Sequence, residues 1–324
     1  MKNSSVDKIN ELYQKGVNRR NFLVGAGAVG AASVIAGCGD SSTPAAVTTT
    51  TAYTDADILN FALNLEYLEA EFYLRCATGS GLSAADAGTG AGTVTGGSQV
   101  AGLTTAQQNI LNEIAYDEQQ HVRFLRSALG ASAVARPAID LTNSFNALAS
   151  AAGIGSTFNP YANFDSFIVG AFVFEDVGVT AYAGAAPLIS AAGVTSGYLA
   201  AAAGIMAVEA YHAAYVRTYL TAQAIASASY PYLGYANKVS ALRATLGGGN
   251  ETTLTVPTGT GPFITTIPTP SAIVAATSAN AIAYARTTDQ VMHIVYGSAG
   301  SGAGVASGAF FPSGLNGNIK KTLS

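Results

Sequence analysis

A chain of 324 residues is long enough for one large domain or two small ones. Charged side chains make up 10%, mean hydropathy is +0.30 and Ala and Gly are abundant, which suits a large buried helical core with a Ser-, Thr-, Asn- and Gln-rich polar surface. A net charge of −4 and a pI near 5.3 supply no basic footprint and argue against nucleic acid as a partner.

Residues 1–18 are polar, and Asn18-Arg19-Arg20-Asn21-Phe22-Leu23 then leads into a mildly apolar run from Val24 to Gly37. A twin arginine before a Gly/Ala-rich apolar segment resembles a bacterial Tat export signal, and the run is short and weakly apolar for a membrane span. It ends in Ile35-Ala36-Gly37-Cys38, which resembles the lipobox of bacterial lipoproteins. That resemblance implies cleavage before Cys38, lipid on its thiol and a place in the cell envelope, on the periplasmic or extracellular side of a membrane. Residues 1–37 are thus read as a signal peptide and 38–53 as a flexible tether rich in Ser, Thr and Pro. With Cys38 so used, Cys76 stands alone, predicting no intrachain disulfide and a small buried hydrophobe.

The first long helix is predicted from Thr54, an N-cap followed by Asp55 and Asp57, to about Ala77. Glu71 and Arg75, four apart on a mixed face, read as an ordinary surface pair. Residues 79–102, poor in apolar side chains, read as a long loop, a passive surface excursion in preference to a lid. Thr105-Ala106-Gln107-Gln108 fits a capping box opening a second helix to about Leu129. A long connection over 131–163 follows, with a short helix near Ser144–Ala152. The third helix starts after Asn163 and runs to about Ser190, with Pro187 bending or ending it; the fourth spans about Thr195–Ser227. The bundle is thus 54–228, and 229–324 is an extension with no core of its own. In the extension, helices are expected at Tyr235–Leu246, Ser271–Ala285 and Thr288–Tyr296, a looped stretch over 250–270, and a tail whose Phe310 and Phe311 pack back.

The chemistry lies in Glu118-Gln119-Gln120-His121. Residues three apart share a helix face, and the helical neighbours of Glu118 are Leu111, Ile114, Ala115, Val122 and Leu125. A carboxylate on an apolar face is costly unless a positive charge meets it, and no Lys or Arg lies on that stripe. A metal ion is the economical counter-charge. The frame recurs as Glu209-Ala210-Tyr211-His212, taking up two of the chain's three histidines. Glu66 and Glu175 occupy similar apolar stripes, each followed seven residues later by a tyrosine, Tyr73 and Tyr182, on the same face. The halves therefore read as a duplicated helix hairpin about a pseudo-twofold axis. Glu69, also on an apolar face, is left as an alternate ligand or an entrance carboxylate. Asp117 either orients a histidine of a neighbouring helix or faces solvent, and His293 reads as a surface or core residue.

The order Glu, Glu-x-x-His, Glu, Glu-x-x-His resembles the ligand set of ferritin-like di-iron and di-manganese bundles. The resemblance is to the bacterial ferritin-like proteins related to plant desiccation-related proteins. It rests further on Leu65-Glu66-Tyr67-Leu68-Glu69-Ala70-Glu71-Phe72-Tyr73, on Arg286-Thr287-Thr288-Asp289-Gln290-Val291 and on Phe310-Phe311-Pro312. It implies an all-α ferritin-like four-helix bundle with a long crossover between the second and third helices. It also implies two Fe or two Mn ions, with Glu66 and Glu175 as single-glutamate ligands, Glu118 and Glu209 as bridging or bidentate ligands, and His121 and His212 as terminal nitrogens. A tyrosine at the same offset from the first-helix ligand in ferritins favours Glu66 over Glu69. Tyr73 and Tyr182 are read as donors to ligating carboxylates, against core aromatics whose hydroxyls take any partner, with either one a source of a proton or an electron. The expected activity is oxidoreduction with O2 or peroxide (ferroxidase, peroxidase or catalase-like), against a non-enzymatic stress- or desiccation-protective envelope lipoprotein with a structural metal. Other expected partners are a membrane, through lipidated Cys38, and a homodimer as the open alternative to a monomer. The long first loop and the C-terminal extension argue against iron storage in a ferritin shell.

Overall fold

The computed structural model describes residues 53–256, 281–298 and 304–323. The predicted signal, Cys38, the tether up to residue 52 and most of the looped stretch over 250–270 lie outside the described residues.

Four long helices dominate: α1 (Asp55–Thr78), α3 (Thr105–Leu129), α5 (Phe164–Ala185) and α7 (Tyr198–Ala226). The first turn after α1 is the short helix α2 (Ala84–Ala87), and α4 (Asn143–Ala151) lies in the crossover. Between α5 and α7 is α6 (Ala191–Thr195), and α8 (Tyr232–Gly247) and α9 (Thr288–Tyr296) form the extension. Capping sets the starts. Thr54 and Asp57 form a reciprocal box at α1, as do Thr287 and Gln290 at α9. At α3 the box is Thr104 with Gln107, one residue earlier than the sequence reading, because the preceding Thr also has a Gln three residues on. Helix α5 stops at Ala185, sooner than expected, passing into a 3₁₀ turn over Ala186–Leu188 that contains Pro187. Gly197, at φ +89°, then separates α6 from α7, so the fourth long helix begins three residues late.

The pairing follows from contacts between helix ends. Gln108, early in α3, donates to the carbonyl of Ala77, and Asn60, early in α1, donates to that of Ser132, just past α3. Helices α1 and α3 are therefore antiparallel. Tyr219, late in α7, donates to Asp165 at the start of α5 (3.0 Å), so α5 and α7 are antiparallel as well. Asp55, opening α1, accepts from Ser190, just past α5, which sets α1 against α5 and leaves α3 and α5 pointing the same way. The connection from 130 to 163 must then cross the length of the bundle, as expected.

Helices α1 and α5 are buried nearly all round. Helices α8 and α9 lie on α5, while Phe310 packs edge-on against Phe145 and Phe174, and Asn316 and Asn64 exchange hydrogen bonds of 2.8 and 2.9 Å. This burial corrects the reading of Glu71 as a surface residue. Its carboxylate is buried, bound by Arg75, by Arg136 from the crossover and by the Leu82 amide of the first loop. The loop over 79–102 is tied down too, because β1 (Val94–Thr95) pairs in parallel with β2 (Ile139–Asp140). Ala281–Ala285 is not helical, and Ala281 sits at φ +53°; the rest of that expected helix lies outside the described residues.

Candidate metal centre

Each of the four long helices brings one glutamate to the bundle axis. Glu66, Glu118, Glu175 and Glu209 are at most 1% exposed, and His121 and His212 are buried beside them. All six residues singled out by the sequence pattern come together. Ligand atoms of Glu66, Glu118, His121 and Glu209 lie within 4.8 Å of one another, and those of Glu118, Glu175 and His212 do likewise. Glu118 belongs to both groups, the position of a bridging carboxylate.

Both histidines present Nδ1. That of His121 is 3.2 Å from Glu66, 3.3 Å from Glu118 and 3.6 Å from Glu209. That of His212 is 3.0 Å from Glu118 and 3.6 Å from Glu175, yet His212 Nδ1 and Glu118 Oε1 are not aligned as a hydrogen bond. Separations of this size between an imidazole nitrogen and carboxylate oxygens suit adjacent ligands of one cation with bonds of about 2.1 Å. Glu118 Oε1, Glu175 Oε2, both Glu209 oxygens and His212 Nδ1 are buried without hydrogen-bond partners. Buried carboxylate oxygens are ordinarily satisfied, so five orphaned atoms on one axis define a polar cage that could hold a cation. Oxygen-rich donors with two imidazoles fit Fe or Mn.

The tyrosines act across the pseudo-twofold axis. Tyr73 donates to Glu175 and Tyr182 to Glu66, so each hairpin's tyrosine secures the other hairpin's glutamate. Asp117 faces His212, with Oδ2 3.2 Å from Nε2, and so orients that ring. At the matching position before Glu209 stands Val208, so His121 has no such partner from α7.

Without a cation, protons hold the cluster together. Burial raises Glu66 to about 7 against the pull of His121, and burial with neighbouring carboxylates pushes Glu209 and Glu69 well up. Burial works to raise Glu118, but the His121 hydrogen bond and the charge of both imidazoles bring it down to about 2. Both imidazoles are desolvated, yet the carboxylates facing them hold their protons on far above the usual range.

Two features escaped the sequence reading. Asp176, next to Glu175 but facing the opposite way, is buried between Arg217 (2.7 Å) and Arg243 (2.7 Å), and Glu251 joins Arg243 to Arg286. Its signal was Arg217 and Arg243, guanidinium groups among apolar neighbours. The second is a pocket of about 370 Å³ between α3 and α7, lined by Ile110, Glu113, Asp117, Tyr211, His212 and Tyr215. Cys76 is buried, as expected, and His293 is a core residue with Nδ1 3.1 Å from the Ser298 carbonyl.

Two antiparallel hairpins that enclose four glutamates and two histidines on one axis define an all-α carboxylate bundle of the ferritin-like class. The ferritin-like domain model matches residues 54–222, and the chain belongs to that family. It is 31% identical over 278 residues to ferritin-like catalase Nec2 of Nesocodon mauritianus, covering 82% of this chain and 85% of that protein. It is 34% identical over 202 residues to desiccation-related protein PCC13-62 of Craterostigma plantagineum, covering 60% of this chain and 62% of that protein.

Proposed function

We propose that the protein is a di-metal carboxylate oxidoreductase acting on peroxide or O2, with catalase-like turnover of hydrogen peroxide as the leading activity. The observation that carries this reading is the set of orphaned glutamate oxygens and imidazole nitrogen on the bundle axis. A relative named a ferritin-like catalase, aligned over most of both chains, favours peroxide.

A pair of Fe or Mn ions would supply two-electron exchange with peroxide. Glu66, Glu118 and His121 would hold one ion, with Glu209; Glu118, Glu175 and His212 would hold the other. Four carboxylates neutralise two divalent ions, so the loaded centre is close to neutral and tolerates its dry setting. Tyr73 and Tyr182 keep Glu175 and Glu66 turned inward and place a hydroxyl proton at each carboxylate. The pocket beside His212 offers a small oxidant an approach from solvent.

The test is peroxide and O2 consumption by Fe- or Mn-loaded protein beside Glu118→Ala. Loss of turnover and of one or both metals is expected. Equal rates would favour the second reading, a stress-protective protein with metal as a structural clip, which the desiccation-related relative supports. The twin arginine and Cys38 further support a Tat-exported, lipid-anchored protein of the cell envelope. Cys38→Ser should then move it from the membrane fraction to the soluble fraction.

A further inference from the structure

The pseudo-twofold axis makes one departure from symmetry visible. Glu66 corresponds to Glu175 and Tyr73 to Tyr182, so the mate of Glu69, three residues after Glu66, is Gly178. One half keeps an additional carboxyl where the other has no side chain at all.

Glu69 is 5% exposed. Its surroundings away from the axis are apolar: Leu65, Leu68, Val173, Val177, Val295 and Phe310 line a small cavity in which it is the one charged residue. Among the described residues it makes no hydrogen bond or ion pair, whereas Glu66 and Glu175 are each secured by a tyrosine. The carboxylate acting on it most strongly is that of Glu209, both of whose oxygens lack partners. Gly178 is what lets the two approach. A Cβ there would stand 2.4 Å from Glu209 Oε2 and 3.3 Å from Glu69 Oε1, so any larger residue would fill the gap between them.

Glutamates 66, 118, 175 and 209 match the charge of two divalent cations. A trivalent pair leaves two positive charges uncompensated in a site that water reaches poorly. A fifth carboxyl with no other partner, on a helix already carrying a ligand and beside Glu209, offsets one of those two charges. Resting on the metal reading above, we propose that Glu69 is a fifth carboxylate ligand of this centre, held in reserve beside Glu209 and drawn onto the His121-side cation when the pair is trivalent. Gly178 is the space through which it moves. The centre is thereby polarised: the His212 side is fixed by Asp117, and the His121 side changes its ligands.

Redox-inert ions separate the two charge states. Co(II) and Ga(III) affinities are measured by titration for the whole protein, for Glu69→Gln and for Glu69→Ala, with Co(II) absorption reporting the divalent coordination. Both variants should take two Co(II) with the wild-type spectrum and lose about tenfold or more in Ga(III) affinity. An unchanged ratio of Ga(III) to Co(II) affinity, or equal losses for both ions, overturns the role of Glu69 while leaving the metal centre in place. Failure of the wild-type protein to bind Co(II) overturns both. Two variants of different size guard against a packing defect, since Gln keeps the shape of Glu and Ala does not.

Discussion

At the scale of single residues, the centre depends on groups that touch its carboxylates without forming the cage. Tyr73 and Tyr182 cross the axis, so each ties the two hairpins together through a buried hydrogen bond to a carboxylate. Tyr73→Phe leaves one Glu175 oxygen without its donor at nearly constant volume. A loss of about 1–3 kcal/mol in urea unfolding of the metal-free protein is expected. Tyr182→Phe should cost the same, and the double variant should show coupling, because both act on one cluster. Asp117 offers a sharper contrast, since it serves His212 alone and is partly exposed. Asp117→Ala should lower affinity for one of the two ions by about 10–100-fold and spare the other, seen as two separated phases in a Co(II) titration. A uniform loss at both ions would refute the orienting role. The six cage residues were legible because Glu-x-x-His on an apolar stripe is rare and the chain offers few histidines. Glu71 was misread for the opposite reason. Its spacing to Arg75 is that of a surface pair, and its burial depends on Arg136 and on a loop far along the chain.

At the scale of elements, α5 carries two adjacent acids with opposite tasks. Glu175 points to the axis, while Asp176 points to the extension and is clamped by Arg217 and Arg243, both of which also lie over the Phe172 ring. Glu251 and Arg286 continue this network, and the Arg286 amide donates to the Thr180 carbonyl (2.9 Å). Asp176→Asn would leave guanidinium charge buried with too little compensation. A loss of about 3–5 kcal/mol is expected. The same variant should expose the segment around Glu251 to limited proteolysis ahead of the four long helices. Resistance equal to wild type would show that apolar packing alone holds the extension. Helix existence and starts were largely legible, because the capping residues at Thr54, Asn163 and Thr287 act within one turn. The parallel pairing of Val94–Thr95 with Ile139–Asp140 was not, because a two-residue strand has no periodicity and its partner lies on another connection. The break between α6 and α7 was missed because an Ala-rich run carries no boundary signal except Gly197, whose left-handed φ is set by the folded chain.

For the molecule as a whole, the scarcity of surface charge gives the buried cluster unusual weight in how stability varies with pH. Asp176, Asp86 and Asp140 are held below the ordinary 3.8, so their stabilisation is lost only in acid. Glu118, down at about 2 from 4.5, likewise stabilises above 4.5 and weakens the fold as pH falls toward 2. Glu66 acts the other way. Raised from 4.5 to about 7, it stabilises the metal-free fold fully below 4.5 and loses that contribution as pH climbs through 7. Glu175 and Glu209 shift in the same direction, and the two imidazoles, held protonated above the ordinary 6.5, lose their contribution as pH rises past that value. Chelated protein should therefore melt at progressively lower temperature from about pH 5 to pH 8. Cations replace these protons, because ligands must deprotonate to bind, so the gain in melting temperature on adding Mn(II) or Fe(II) should widen over the same interval. Thermal unfolding with chelator and with metal, at matched ionic strength, measures both curves. A chelated protein with flat stability across that interval, or a metal increment that shrinks with rising pH, would mean that protons and cations do not compete for the same six side chains.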